Sequence, residues 1–180
     1  MKSILISIKP KWVAKILNGE KTIEIRKSMP KCDLPIDVYI YCTKEKPKAI
    51  LTDKGCVVAN TLIVGGNSQY KSGYSLSGQI VGKFTLNKVD IVWKTINEEH
   101  PKHLLENSCL SFEELHSYLN GSIGYAWQID DLEIFNELKE LRDFKKTNKF
   151  GVPQYEFGNG TCDYKKIKKA PQSWCYIEVE

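Results

Sequence analysis

Residues 19–27 read Gly-Glu-Lys-Thr-Ile-Glu-Ile-Arg-Lys, and the fold turns on how this stretch is read. Its centre, Thr22-Ile23-Glu24-Ile25-Arg26, alternates polar and apolar with a period of two, the pattern of a strand whose side chains point to opposite faces. Ile23 and Ile25 share one face. Glu24 and Arg26 share the other, about 7 Å apart along the strand at the standard rise per residue. On alternation alone, the charged pair reads as a solvated face, where such partners contribute roughly 0.2–1 kcal/mol. The same pair also fits the wall of a site, and the rest of the chain has to decide between the two.

Working outward, Ile4, Ile6 and Ile8 alternate with Leu5, Ser7 and Lys9, which predicts a first strand with one β-branched face. Pro10 suits the first position of a helix, where its missing N–H costs little. Val13, Ile16 and Leu17 follow at i, i+3, i+4 spacing, and Gly19 is a left-handed stop. The sequence thus predicts strand, short helix and a second strand entered through the quoted stretch. Residues 37–43 form a third strand, with Val38, Ile40 and Cys42 opposed to Tyr39, Tyr41 and Thr43.

Glycines and small polar residues mark an excursion over about 52–78, with a short hairpin at 57–64. Strand character resumes over 79–93, bent or divided near Asn87. Ser111-Phe112-Glu113-Glu114 is a capping box that opens a helix ending before Gly121. Further strands are predicted at 124–135 and 173–179. Residues 136–149 are ambiguous, 158–160 is a loop, and about 136–169 is a variable basic segment. Six or so strands, two short helices and no βαβ rhythm predict a single mixed α+β domain, mainly β, built as a small barrel over 1–180.

The bulk properties agree with one globular unit. A chain of 180 residues buries about 70% of the surface its unfolded form exposes, so neither metal nor disulfide is needed to hold it. The apolar fraction of 42%, charged fraction of 27% and mean hydropathy of −0.35 are ordinary for a soluble protein. No apolar run is long enough to span a bilayer, and the N-terminal Ile-Leu-Ile-Ser-Ile is too short for a signal core. Six cysteines lie far apart with no CxxC pair, which predicts reduced thiols and a cytoplasmic location. His100 and His103 form an HxxH with Cys109 nearby, short of the four ligands a closed zinc site needs, so no metal and no cofactor is assigned.

Net charge is +4, unevenly spread. Residues 1–31 hold eight Lys/Arg against two Glu, residues 89–137 ten acids against two lysines, and residues 138–169 nine bases against four acids. This asymmetry predicts one positive face suited to a polyanion. The cluster Lys165, Lys166, Lys168 and Lys169 by itself reads as solvated charge.

The order Ser7-Ile8-Lys9-Pro10, a helix, then Gly19-x-Lys21-x-x-Glu24-x-Arg26 resembles the ASCH domain, a member of the PUA-like superfamily. Gly124-Tyr125-Ala126-Trp127 and Ala170-Pro171-Gln172-Ser173-Trp174-Cys175-Tyr176 are similar to a bacterial and phage branch of it. The resemblance implies a β-barrel with a positively charged cleft between its open face and the helix, lined by Lys21, Glu24 and Arg26. It also implies binding of RNA or a nucleotide. Some small relatives are similar to hydrolases that deacylate N4-acetylcytidine, with a Thr three residues after the motif lysine as nucleophile. Glu24 holds that position here, and a carboxylate lacks the hydroxyl that forms the usual ester intermediate.

In chemical terms, Arg26 offers a planar fork, Lys21 a mobile point charge and Glu24 an acceptor for an exocyclic amine; Lys9 and Ser7 can join from the first strand. Aromatic side chains provide stacking, with Tyr41 and Trp174 preferred and Trp12, Tyr39 and Tyr176 more readily accounted for by the core. Two alternatives to RNA or nucleotide binding remain open at this stage. One is an enzyme, a nucleoside amidohydrolase or metal-independent ribonuclease, using Lys21, Glu24 and Thr22. The other is a protein-interaction module presenting the acidic 89–137 region.

Overall fold

The opening strand, β1 (Lys2–Ile8), is buried along almost its whole length, so it belongs to a sheet covered on both faces. The computed structural model describes residues 2–59, 73–92, 102–158 and 161–179. In chain order, β1 is followed by α1 (Pro10–Leu17), β2 (Ile23–Arg26), β3 (Ile36–Cys42), β4 (Lys48–Thr52), β5 (Gly55–Ala59), β6 (Tyr74–Ser75), β7 (Ile80–Leu86) and β8 (Val89–Val92). Then come α2 (Lys102–Ser108), α3 (Phe112–Leu119), β9 (Gly124–Gln128), β10 (Asp130–Lys139), β11 (Lys145–Lys146), β12 (Tyr155–Gly158), β13 (Thr161–Tyr164) and β14 (Trp174–Glu178).

The main sheet has the order β10-β7-β3-β1-β14-β11. β1 and β3 pair in parallel, which demands a crossover, and residues 9–35 supply it with α1 and β2. Ile4, Ile6 and Ile8 meet Val38, Ile40 and Cys42 on one face, where Val13, Ala14 and Ile16 of α1 and the fully buried Trp127 complete the core. Leu5, Tyr39, Tyr41 and Ile177 face the other way into a second core with Phe135, Phe144 and Ile167. Each large side chain buried this way stabilises the fold by about 1.5–3 kcal/mol.

The strands expected at 79–93 and 124–135 each divide. β7 and β10 pair in the main sheet, whereas β8, which follows β7, and β9, which precedes β10, pair with each other and β9 also with β2, in a three-stranded sheet of order β2-β9-β8. The two divisions are tied together: Gln128 N donates to Lys88 O at 3.1 Å, and Asn87 Nδ2 donates to Asp130 Oδ2 at 3.0 Å. One antiparallel arm therefore turns a corner from one sheet to the other, and the positive φ of Asp131 (47°) sits beside the turn.

Hydrogen bonding leaves the six-stranded sheet open, with β10 and β11 at its edges, and no closed barrel forms among the described residues. Among the described residues the architecture is mainly β with three α-helices and several sheets, and the small barrel of about six strands that the sequence predicts is not confirmed. The hairpin expected at 57–64 falls partly outside the described residues. Gly55–Ala59 pairs backward with β4, and the Asn18 side chain caps the β5 edge by bonding both Cys56 N and Cys56 O at 2.9 Å. The capping box of α3 forms as predicted, Ser111 Oγ accepting from Glu114 N and Ser111 N donating to the Glu114 carboxylate. α2 was not expected; it carries His103, while His100 lies outside the described residues.

Candidate functional site

Strand β2 lies between two environments. Ile23 and Ile25 enter a third core with Leu104 of α2, Leu115 and Leu119 of α3, and Ala126 of β9. Glu24 and Arg26 point the opposite way, toward α1 and the end of β1, and remain only 6% and 8% exposed. The charged face of the quoted stretch is thus a buried wall. Alternation marks two covered faces here, because helices close one side of β2 and the body of the main sheet closes the other.

Lys21, at 3% exposed, is the hub of this wall. Its Nζ donates to Ile23 O at 2.8 Å and Ser108 O at 2.7 Å, and pairs with Glu24 Oε2 at 3.2 Å. All three ammonium protons are engaged, so Lys21 is a fixed charge that anchors α2 to β2, in contrast to the mobile one expected. Glu24 Oε1 receives Arg26 Nη2 at 3.0 Å, and the same Nη2 donates to Ser7 O at 2.8 Å. Arg26 Nε is buried and has no hydrogen-bond partner among the described residues. A buried donor without a partner costs about 1–3 kcal/mol, and the residue that carries it lines a cavity.

That cavity has a volume of about 910 Å³. Ser7, Lys9 and Trp12 line it from β1 and α1, Lys21, Glu24 and Arg26 from β2 and its approach, and Ser117 and Tyr118 from α3. The segment 170–173 closes a further side and is held there by two bonds from one residue: Ser7 Oγ donates to Pro171 O at 2.7 Å, and Ser7 N to Ser173 O at 2.9 Å. The Tyr118 hydroxyl is held above its ordinary pKa by burial, an effect that the neighbouring Arg26 guanidinium opposes.

The lining is electrically mixed. Lys9, Lys21, Arg26 and Lys27 stand against Glu24, Glu45, Glu113 and Glu114. The positive cleft expected from the N-terminal charge balance is therefore neutralised by carboxylates delivered from α3 and from Glu45, which pairs with Lys9 at 3.2 Å. Both α3 acids stay below the usual carboxylate range, Glu113 through a bond from the Ser111 hydroxyl and Glu114 through one from the Ser111 amide.

Of the residues singled out in the sequence, Ser7, Lys9, Lys21, Glu24 and Arg26 are brought together at this cavity. Three are not. Thr22 is exposed just before β2, with its backbone bonded to Asn107 and Ile129 and its side chain away from the cavity. Tyr41 is 4% exposed in the second core, because its parity on β3 places it across the main sheet from the cavity. Trp174 packs between Trp127 and Tyr176 and acts one step removed, its Nε1 donating at 3.0 Å to Ser28, which does line the cavity. Aromatic walls come from Trp12, whose ring lies 5.2 Å from Lys21 Nζ, and from Tyr118, with Lys27 Nζ 5.4 Å from its ring. Sequence reasoning missed Tyr118 and Glu113 since nothing in α3 beyond its cap signals which face meets β2.

The ASCH domain family model matches residues 6–144. The crystal structure of an ASCH protein from Zymomonas mobilis aligns with a TM-score of 0.51 at 18% identity, covering 77% of this chain and 73% of that one. A serine-to-alanine variant of the Zymomonas mobilis protein aligns with a TM-score of 0.53 at 16% identity, covering 98% and 88%. These likenesses show the fold. No curated protein matches the sequence. Since the matched span covers more than half of the chain and contains the whole Gly19-x-Lys21-x-x-Glu24-x-Arg26 motif, the chain belongs to the ASCH domain family.

Proposed function

We propose that the cavity binds one nucleotide unit, either as a free nucleoside or nucleotide or as part of an RNA strand. The observation that carries this reading is the buried Arg26, which lines the cavity and whose Nε donor has no hydrogen-bond partner among the described residues. A ligand acceptor at that point satisfies the donor and recovers the penalty of leaving it bare. Glu24 beside it retains acceptor capacity on both carboxylate oxygens, which suits an exocyclic amine, and Trp12 and Tyr118 offer ring surface. The volume lies within the range of about 300–1,000 Å³ typical of small-molecule sites.

The balanced charge of the lining favours a single nucleotide unit over a stretch of polyanion inside the cavity, with a phosphate directed to the rim at Lys9 or Lys27. Turnover draws less support. Thr22, the hydroxyl assigned to it, is outside the cavity, and the Lys21 ammonium is committed to three protein acceptors. A thermal-shift and calorimetric panel of nucleosides, nucleotides and short RNAs tests the reading, because a ligand that binds only the native state raises its melting temperature. Arg26→Met removes the Nε donor while keeping an unbranched side chain, and its far-ultraviolet spectrum checks that the fold survives. Loss of the shift in Arg26→Met is the expected result; a shift of equal size in the variant removes Arg26 from the site.

A further inference from the structure

The hairpin β12–β13 stands apart from the cavity and shows an arrangement that folding does not require. Its register places Tyr155 opposite Tyr164 and Phe157 opposite Cys162. With a period of two, these four side chains share one face, while Glu156 and Asp163 share the other. The Tyr155 and Tyr164 rings stack at 5.1 Å with 29° between planes. Phe157 is 85% exposed, Tyr155 51% and Tyr164 41%, so the face is bare aromatic surface. Lys145 Nζ sits 4.2 Å from the Tyr164 ring centre. On the other face, Glu156 is neutralised by Lys168 at 2.9 Å. Residues 145–169 hold seven lysines against two acids.

We propose that this face is a second contact surface, separate from the cavity, on which bases of a single-stranded nucleic acid stack while the lysines hold its phosphates. Exposed rings interleaved with cations match a ligand that carries both π-faces and regular negative charge. Charge complementarity selects that occupant over the alternatives. A second copy of the chain laid face to face would oppose two lysine-rich segments, which repel. A duplex keeps its bases stacked internally and leaves the aromatic face unused. The chain also runs from Lys168 and Lys169 directly into 170–173, the segment that lines the cavity, so a strand held on the hairpin is led along the protein toward the cavity rim.

The test is fluorescence anisotropy with labelled single-stranded RNA and DNA of about 12 nucleotides, long enough to cover a stacking surface of this kind. A duplex of the same length and vesicles containing phosphatidylserine are run beside them. Replacing Phe157 and Tyr155 together by Ser is expected to weaken single-strand binding by about fivefold or more, the loss of one or two stacked bases. Any mononucleotide binding in the cavity stays unchanged, because both side chains are exposed and remote from it, and a far-ultraviolet spectrum checks that the fold survives the loss of the Tyr155–Tyr164 stack. Tighter binding of either single strand supports the proposal and names the preferred sugar. Unchanged single-strand affinity in the variant overturns it, as does stronger binding of wild type to duplex or vesicles, or a dimer that the substitutions dissolve.

Discussion

Glu24 sits between two cations, and its carboxylate is the point at which site and stability are the same question. Lys21 and Arg26 reach it at 3.2 and 3.0 Å with every participant under a tenth exposed. In so little solvent, removing one member leaves the others uncompensated, at a cost of about 3–5 kcal/mol. Glu24→Gln and Lys21→Met are each expected to lower unfolding stability on that scale. The double variant should cost less than the sum of the two, with a coupling of about 0.5–3 kcal/mol read by urea unfolding. Additive effects would show that the pair does not form. Periodicity identified Glu24 and Arg26 as same-face neighbours but predicted water around them; only the family motif pointed to a site. Burial of that face depends on α1, α3 and 170–173 folding over it, and such long-range covering leaves no local mark in residues 19–27.

At the scale of elements, the corner shared by β7–β8 and β9–β10 decides how the sheets meet. At Gly82 two strands of the main sheet approach closely: a Cβ there would come within 2.4 Å of Glu133 O and 3.3 Å of Ile134 Cα, both backbone atoms of β10. Gly82→Ala is expected to destabilise by about 1–3 kcal/mol, the range for overpacking, and to lower the melting temperature measured by calorimetry. An unchanged midpoint would mean that β10 can withdraw without loss. β1, α1, β2, β3, the α3 cap and β14 were legible because each carries a clean period or a capping signal. The division at Asn87 was legible too. The division at Ile129 was not, since residues 124–135 read as one continuous apolar alternation and only pairing with two different sheets breaks it. β4, α2 and the far half of β10 were missed for a related reason: polar or short stretches acquire their structure from partners distant in sequence.

For the molecule as a whole, the two cores flanking the main sheet set its response to pH. Burial pushes the Cys42 thiol up to about 12 and that of Cys56 up to about 11, and desolvation also raises the Tyr39 and Tyr41 hydroxyls. Below the ordinary thiol range, folded and unfolded chains both keep these protons and stability is unaffected. As pH rises through that range, the unfolded chain releases protons that the folded one retains, so stability falls from about pH 9 upward. The melting temperature is expected to decline steadily between about pH 9 and pH 11; a flat profile would mean these groups are not buried in the native state. The central claim is that Arg26 Nε in the cavity wall receives a nucleotide ligand. The sequence contains two arginines, Arg26 and Arg142, and Arg142 is exposed beside Glu140. The Nε–Hε spectrum of isotope-labelled protein therefore reports on the claim with one internal control. Titration with nucleosides, nucleotides and short RNAs is predicted to move the Arg26 signal with a saturable ligand dependence while the Arg142 signal stays in place. An Arg26 signal that remains fixed across the whole panel, or that moves only in step with Arg142, would contradict it.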